Sequence, residues 1–232
     1  SDGSQQDTDS LAVLVGQEKI TIQQMIDAAY NGQTITLSPG TYIESGITFP
    51  EDKQIILEGD TNNPASVIID GNLEDSVFIL DSVPDGTVIR GMTIQNGNAK
   101  STGNDGSGIK ITNCSPAIEY NIIKDNILST DSTNRGAGIY IYGSSSSPLI
   151  RYNEISHNMG SSEGSAIHFY YAGDVNPITV EYNTITDNHT QGSGTIYADH
   201  SSFTIKDNTI TDNSVNGLNS RGGGICVDYC TN

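Results

Sequence analysis

Five short segments, 106–111, 136–141, 164–169, 192–197 and 222–227, repeat one arrangement of small, apolar and chemically capable residues. Their apolar anchors are Ile109, Ile139, Ile167, Ile196 and Ile225, spaced 30, 28, 29 and 29 residues apart. Side chains alternate faces along a strand, so the neighbours Lys110, Tyr140, His168, Tyr197 and Cys226 share the opposite face. Thr112, Tyr142, Tyr170, Asp199 and Asp228 follow two residues later, with Tyr171 and His200 at the strand edge. Tyrosine offers an apolar ring face and a hydroxyl, the complement of a sugar ring's C–H and O–H groups. Tyr140, Tyr142, Tyr170, Tyr171 and Tyr197, with His168, therefore form a candidate surface for an extended glycan. The structural alternative is that tyrosine simply suits a strand and stacks on its neighbours.

Two further chemistries are written into the same repeat. β-Elimination on a uronic acid needs a base near the C5 proton and a cation on the carboxylate. Lys110 and Lys124 are the candidate bases, because Arg151 and Lys206 are flanked by Glu181. Asn96, Asp125, His157, Asp187 and Asp212 form a separate column, and Asp187 and Asp212 fall on adjacent units. Asp125, Asp187 and Asp212 are the candidate calcium ligands. Calcium takes six to eight oxygens, so Asn188, Asn213 or backbone carbonyls have to join them. Asp-Asn is also an ordinary turn pair, and that reading competes with the metal one. The sequons at Asn113 and Asn188 are matches of a kind that chance supplies.

Positioning these groups requires a regular scaffold, and the chain carries one. Arg90, Glu119, Arg151, Glu181 and Lys206 alternate in charge, each after a buried-type residue. Stacked coils place equivalent residues about 4.8 Å apart, where opposite charges attract and like charges repel. Asn121, Asn153, Asn183 and Asn208, and then Asn126, Asn158, Asn188 and Asn213, recur with the same period and can hydrogen-bond from coil to coil. Strands are expected over 33–37, 46–49, 54–57, 66–69, 76–80 and 87–90, separated by Pro39-Gly40, Asp70-Gly71 and similar turns. Residues 20–30 predict an amphipathic helix, with Thr21 and Gln24 at capping-box spacing, lying as a lid on the N-terminal end of the stack.

The bulk numbers agree. Hydrophobic residues make up 34% of the 232, with 25 glycines and no Trp, which suits a turn-dense β solenoid. A net charge of −18 argues against nucleic acid or an anionic membrane as partner, and no run is apolar enough to insert in a membrane. Spacing excludes a Cys226–Cys230 bridge within an extended strand and a Cys114–Cys230 bridge across the coils, so free thiols are expected, with an intermolecular disulfide as the alternative.

Strand–turn–strand coils of this length, with Asn at the turns and the entry sequence 21–42 followed by 55–59, resemble the right-handed parallel β-helix of the pectin-lyase-like superfamily. The resemblance covers about residues 20–230 and implies an all-β fold with a short N-terminal capping helix, but not one function. The superfamily's pectate-lyase relatives use Arg or Lys as base with calcium. The pectin-hydrolase set of Gly-His-Gly and Arg-x-Lys is missing here, as is the alginate-epimerase pattern Asp-Pro-His-Asp. The chain divides into a flexible polar tail over 1–12 and a β-helix over 13–232 with an uncapped C-terminal end. The leading expectation is a secreted or cell-surface module that binds polysaccharide without catalysis, with calcium bridging an acidic polymer. The alternatives are a calcium-dependent polysaccharide lyase and a structural surface protein that self-associates through its C-terminal coil.

Overall fold

A computed structural model describes residues 20–100, 105–128, 134–217 and 220–230. The expected tail over 1–12 and the start of the helical domain at 13 lie outside these residues. The chain winds into three seven-stranded parallel sheets that run the length of a β-helix. The first sheet begins with Gln33–Thr36 and ends with Phe203–Lys206, the second runs from Gly40–Ile43 to Thr209–Thr211, and the third from Ile47–Thr48 to Ile225–Asp228. A fourth sheet of three very short strands follows the second. No helix among the described residues is long and apolar enough to cross a membrane.

The period read from the sequence sets this register. Ile118 pairs with Ile89 below and Ile150 above, and Ile139 with Ile109 and Ile167. These isoleucines are fully buried, each contributing about 1.5–3 kcal/mol by leaving water. The scaffold departs from expectation in two places. Each coil has three strands rather than the two of a strand–turn–strand unit, because a corner falls between the charge column and the next isoleucine. Tyr120, Tyr152 and Tyr182 occupy that corner with φ of 57°, 56° and 56°. The strand Gly40–Ile43 was not expected, since Pro39-Gly40 reads as a turn and none of the strand's residues is buried, leaving no apolar alternation to detect.

Both asparagine columns are buried ladders. Asn153 Nδ2 donates to Ile118 O at 2.8 Å and to Asn183 Oδ1 at 3.0 Å, while its own Oδ1 accepts the Asn121 backbone N–H at 3.0 Å. Asn158 repeats the pattern with Ile123, Asn188 and Asn126. These amides satisfy backbone groups that the corners leave unpaired inside the coil. Asn188 is thereby committed to the interior, which removes its sequon from the folded surface.

The charge column begins one coil earlier than expected, at Glu58, and its contacts fall into two runs, Glu58–Arg90–Glu119–Arg151 and Glu181–Lys206. Arg90 reaches Glu58 at 2.5 Å and Glu119 at 3.9 Å, Arg151 reaches Glu119 at 2.8 Å, and Lys206 reaches Glu181 at 2.8 Å. Helix α1, Ile22–Ala28, has the expected capping box and buries Ile22 and Ile26. Glu44 takes the free N–H groups of Ile22 and Gln23 at 2.7 and 2.8 Å, favourable for a carboxylate at a helix N-terminus. Cys114, Cys226 and Cys230 are unpaired, and burial pushes all three thiols up.

Candidate functional site

The outer face of the third sheet carries the tyrosine set in the expected register, Lys110–Tyr140–His168–Tyr197–Cys226. Its exposure is not as expected. Tyr140 and Tyr197 are only 5% exposed and His168 is fully buried, so these three do not present a solvent-facing surface. The turns that precede each strand fold back over them. Gly136 and Gly164 make that possible: both have positive φ, and a Cβ would lie 2.9 Å from Tyr140 Cβ and 2.8 Å from His168 Cβ respectively.

Under that cover the rings form a second, polar layer. His168 sits 5.7 Å from Tyr140 and 5.1 Å from Tyr197, centroid to centroid. The Tyr197 hydroxyl donates to Asp228 Oδ2 at 2.6 Å. Burial, then the charge of Asp105, pushes the Tyr140 hydroxyl far up. Burial, then the positive charge of Arg135, pulls His168 down to about 3, so its imidazole is neutral. Its Nε2 has no hydrogen-bond partner.

The covering turns carry charge. Arg135 Nε donates to Glu163 at 3.2 Å, its backbone N–H donates to Asp105 at 2.7 Å, and its guanidinium lies 4.6 Å from the Tyr170 ring centre. Burial opposes the Arg135 charge, but Glu163 and Asp105 outweigh it and hold the group above its ordinary range. Glu163 and Asp105 are themselves pushed up by burial, with Arg135 partly offsetting the effect.

Beside this layer lies an open groove. Tyr142, 41% exposed, stacks on Tyr170 with centroids 5.9 Å apart. On its other side the register places Thr112 and then Asp81, too small to cover a ring. Asp81, Asp105, Lys110, Thr112, Arg135, Tyr140, Tyr142 and Tyr170 line a cavity of about 400 Å³ there. Of the ten Lys and Arg residues, Lys19 lies outside the described residues. Of the remainder, Lys110 alone has neither an ion pair nor a hydrogen bond among the described residues. Tyr171, also exposed, continues the surface in a stack with His200 and Tyr229 at 4.5 and 4.9 Å.

The other expected groups fall elsewhere. Lys124 is on the second sheet, 3.4 Å from Asp125. Asp125, Asp187 and Asp212 occupy left-handed corners with φ of 54°, 54° and 56°, as do Asn96 and His157 in the same column. Turn geometry thus accounts for the column, since Asn and Asp tolerate this region best. No group of three or more His, Cys, Asp or Glu able to hold a metal ion occurs among the described residues.

The corner tyrosines were missed as a surface. Tyr120, Tyr152 and Tyr182 stack at 4.9 and 5.2 Å with rings within 13° and 7° of parallel, and are 37%, 40% and 46% exposed. Their recurrence directly before Asn was the available signal. Once the corner is known to turn outward, three rings one coil apart must stack.

A family model described as right handed beta helix region matches residues 31–232. No curated protein matches the chain, and no solved structure does.

Proposed function

The chain belongs to the right-handed β-helix family, and from that premise we propose that it binds an acidic polysaccharide, without catalysis, in the groove on its third sheet. One observation carries the reading: Tyr142, with only Thr112 opposite one face, lines a groove with Lys110, a cation that interacts with Asp105 through its charge but has neither an ion pair nor a hydrogen bond among the described residues. A sugar ring stacked on Tyr142 would replace the missing rung above Thr112, and a uronate carboxylate would find the Lys110 ammonium. This arrangement needs no bridging calcium. His168 is buried and Arg135 is held protonated by Glu163 and Asp105, which leaves Lys110 as the candidate base in the groove. The reading carries with it an extracellular or cell-surface setting, where such polymers occur.

Affinity electrophoresis through polygalacturonate and alginate, with calcium or with a chelator, tests it. Retardation is expected in both conditions. Lys110→Ala and Tyr142→Ala should each weaken it by about tenfold, or 1.4 kcal/mol. Unretarded wild-type protein would end the proposal. Growth of the ultraviolet absorbance of unsaturated products, abolished in Lys110→Ala, would instead make the protein a lyase with Lys110 as base.

A further inference from the structure

The third-sheet groove carries a charge pattern that limits which acidic polymer fits it. Its lining comes from four successive coils. Asp81 is on the first, Lys110 and Thr112 on the second, Tyr140 and Tyr142 on the third, and Tyr170 on the fourth. Coils rise by about 4.8 Å, so the groove extends about 14 Å along the rod. Across the sheet it spans only two outward positions, Lys110 and Thr112 on one strand, about 7 Å apart. The turns bearing Asp105 and Arg135 bound it as well. A bound chain therefore lies along the rod rather than across it. The coil rise is close to the advance of one pyranose along its polymer, so successive sugars fall on successive coils.

The charges in the groove are not equally neutralised. Arg135 Nε donates to Glu163 at 3.2 Å, and its backbone N–H donates to Asp105 at 2.7 Å. Asp105 also hydrogen-bonds the Tyr140 hydroxyl. Asp81 is different. It is exposed at the end of its strand and has no ion pair among the described residues. Its Oδ1 accepts from the Ser82 hydroxyl at 3.2 Å, which leaves Oδ2 to accept from a ligand. The strand pairing sets Asp81 beside Thr112, one coil below Lys110. Along the groove, one open cation is thus followed by one open anion.

We propose that the groove selects acidic polysaccharides in which uronate residues alternate with uncharged ones. This rests on the binding reading above and adds the order of the sugars. A uronate stacked on Tyr142 gives its carboxylate to Lys110. The next sugar, one coil down, faces Asp81. An uncharged residue there donates a hydroxyl to Asp81 Oδ2. A second uronate there sets its carboxylate against Asp81, where like charges repel. Arg135 does not offset that repulsion, because Glu163 and Asp105 already answer its charge and it stands two coils away.

Affinity electrophoresis of the full chain at fixed low ionic strength tests the selection, in gels matched for uronate concentration. Hyaluronan and unsulfated chondroitin are compared with polyglucuronate. All three carry glucuronate, and in the first two it alternates with an uncharged N-acetylhexosamine. Both alternating polymers are expected to bind about fivefold more tightly than polyglucuronate, which should still retard the protein. Asp81→Asn should bring the three within about twofold, mainly by tightening polyglucuronate. Asp52→Asn removes the same charge from an exposed turn that does not line the groove, and should keep the wild-type preference. The proposal is overturned if polyglucuronate binds wild type as tightly as the alternating polymers. It is also overturned if Asp81→Asn keeps the preference, or if Asp52→Asn abolishes it too. Equal retardation by all three, lost in Lys110→Ala, would overturn the selection and leave the binding reading standing. No retardation by any of them would end both.

Discussion

His168 is an imidazole held neutral between two tyrosine rings, with Nε2 bonded to nothing. Its pKa, about 3 in the folded chain, stands below the ordinary value of about 6.5. Between those values the unfolded chain binds a proton that the folded one does not, so stability falls as pH falls from about 6.5 toward 3. The slope approaches 1.4 kcal/mol per pH unit. Other acid-sensitive groups add to it, so the informative quantity is a difference. His168→Phe keeps an aromatic ring in the ladder and removes both the titration and the orphan nitrogen. Urea denaturation should show the variant close to wild type at pH 7 and more stable by a few kcal/mol at pH 4. Equal acid sensitivity in the two proteins would show that His168 is not buried neutral.

The asparagine ladders let corners exist inside a hydrophobic coil. Replacing Asn153 with Ala leaves the Asn121 N–H and Ile118 O without their partners in a dry interior. Each such loss costs about 1–3 kcal/mol, so Asn153→Ala should lower unfolding stability by about 3 kcal/mol or more. Asn208→Ala, at a less buried rung, should cost distinctly less, and equal losses would mean the ladder does not act through burial. These ladders and the charge column were legible in the sequence because one residue type recurs in step with buried isoleucines. The capping helix was legible for the same local reason, Thr21 and Gln24 bonding each other's backbone. What stayed illegible depended on segments that do not repeat. The turns over Tyr140, His168 and Tyr197 come from stretches of uneven length, and nothing in a strand's alternation tells whether its outer face is later covered. The corner also hid itself, since a bulky residue with positive φ is the last choice that backbone sterics would suggest.

At the scale of the molecule, the proposed groove arises where an aromatic stack ends and a small residue begins, Tyr142 beside Thr112. It was not legible because it depends on which coil lacks a ring, and a missing residue type leaves no motif. The charge column has a consequence for how such a rod can change length. Glu58, Arg90, Glu119, Arg151, Glu181 and Lys206 alternate without a break. Deleting 120–151 would bring Glu119 beside Glu181, whereas deleting 91–151 would bring Arg90 beside Glu181 and keep the alternation. Like charges directly opposite are destabilising, and salt screens them. The shorter deletion should therefore gain thermal stability when salt is added and the longer one should not, a contrast that melting curves at two ionic strengths can refute. The column thus imposes parity on the rod: excising two interior coils keeps opposite charges facing, and excising one sets like charges against each other.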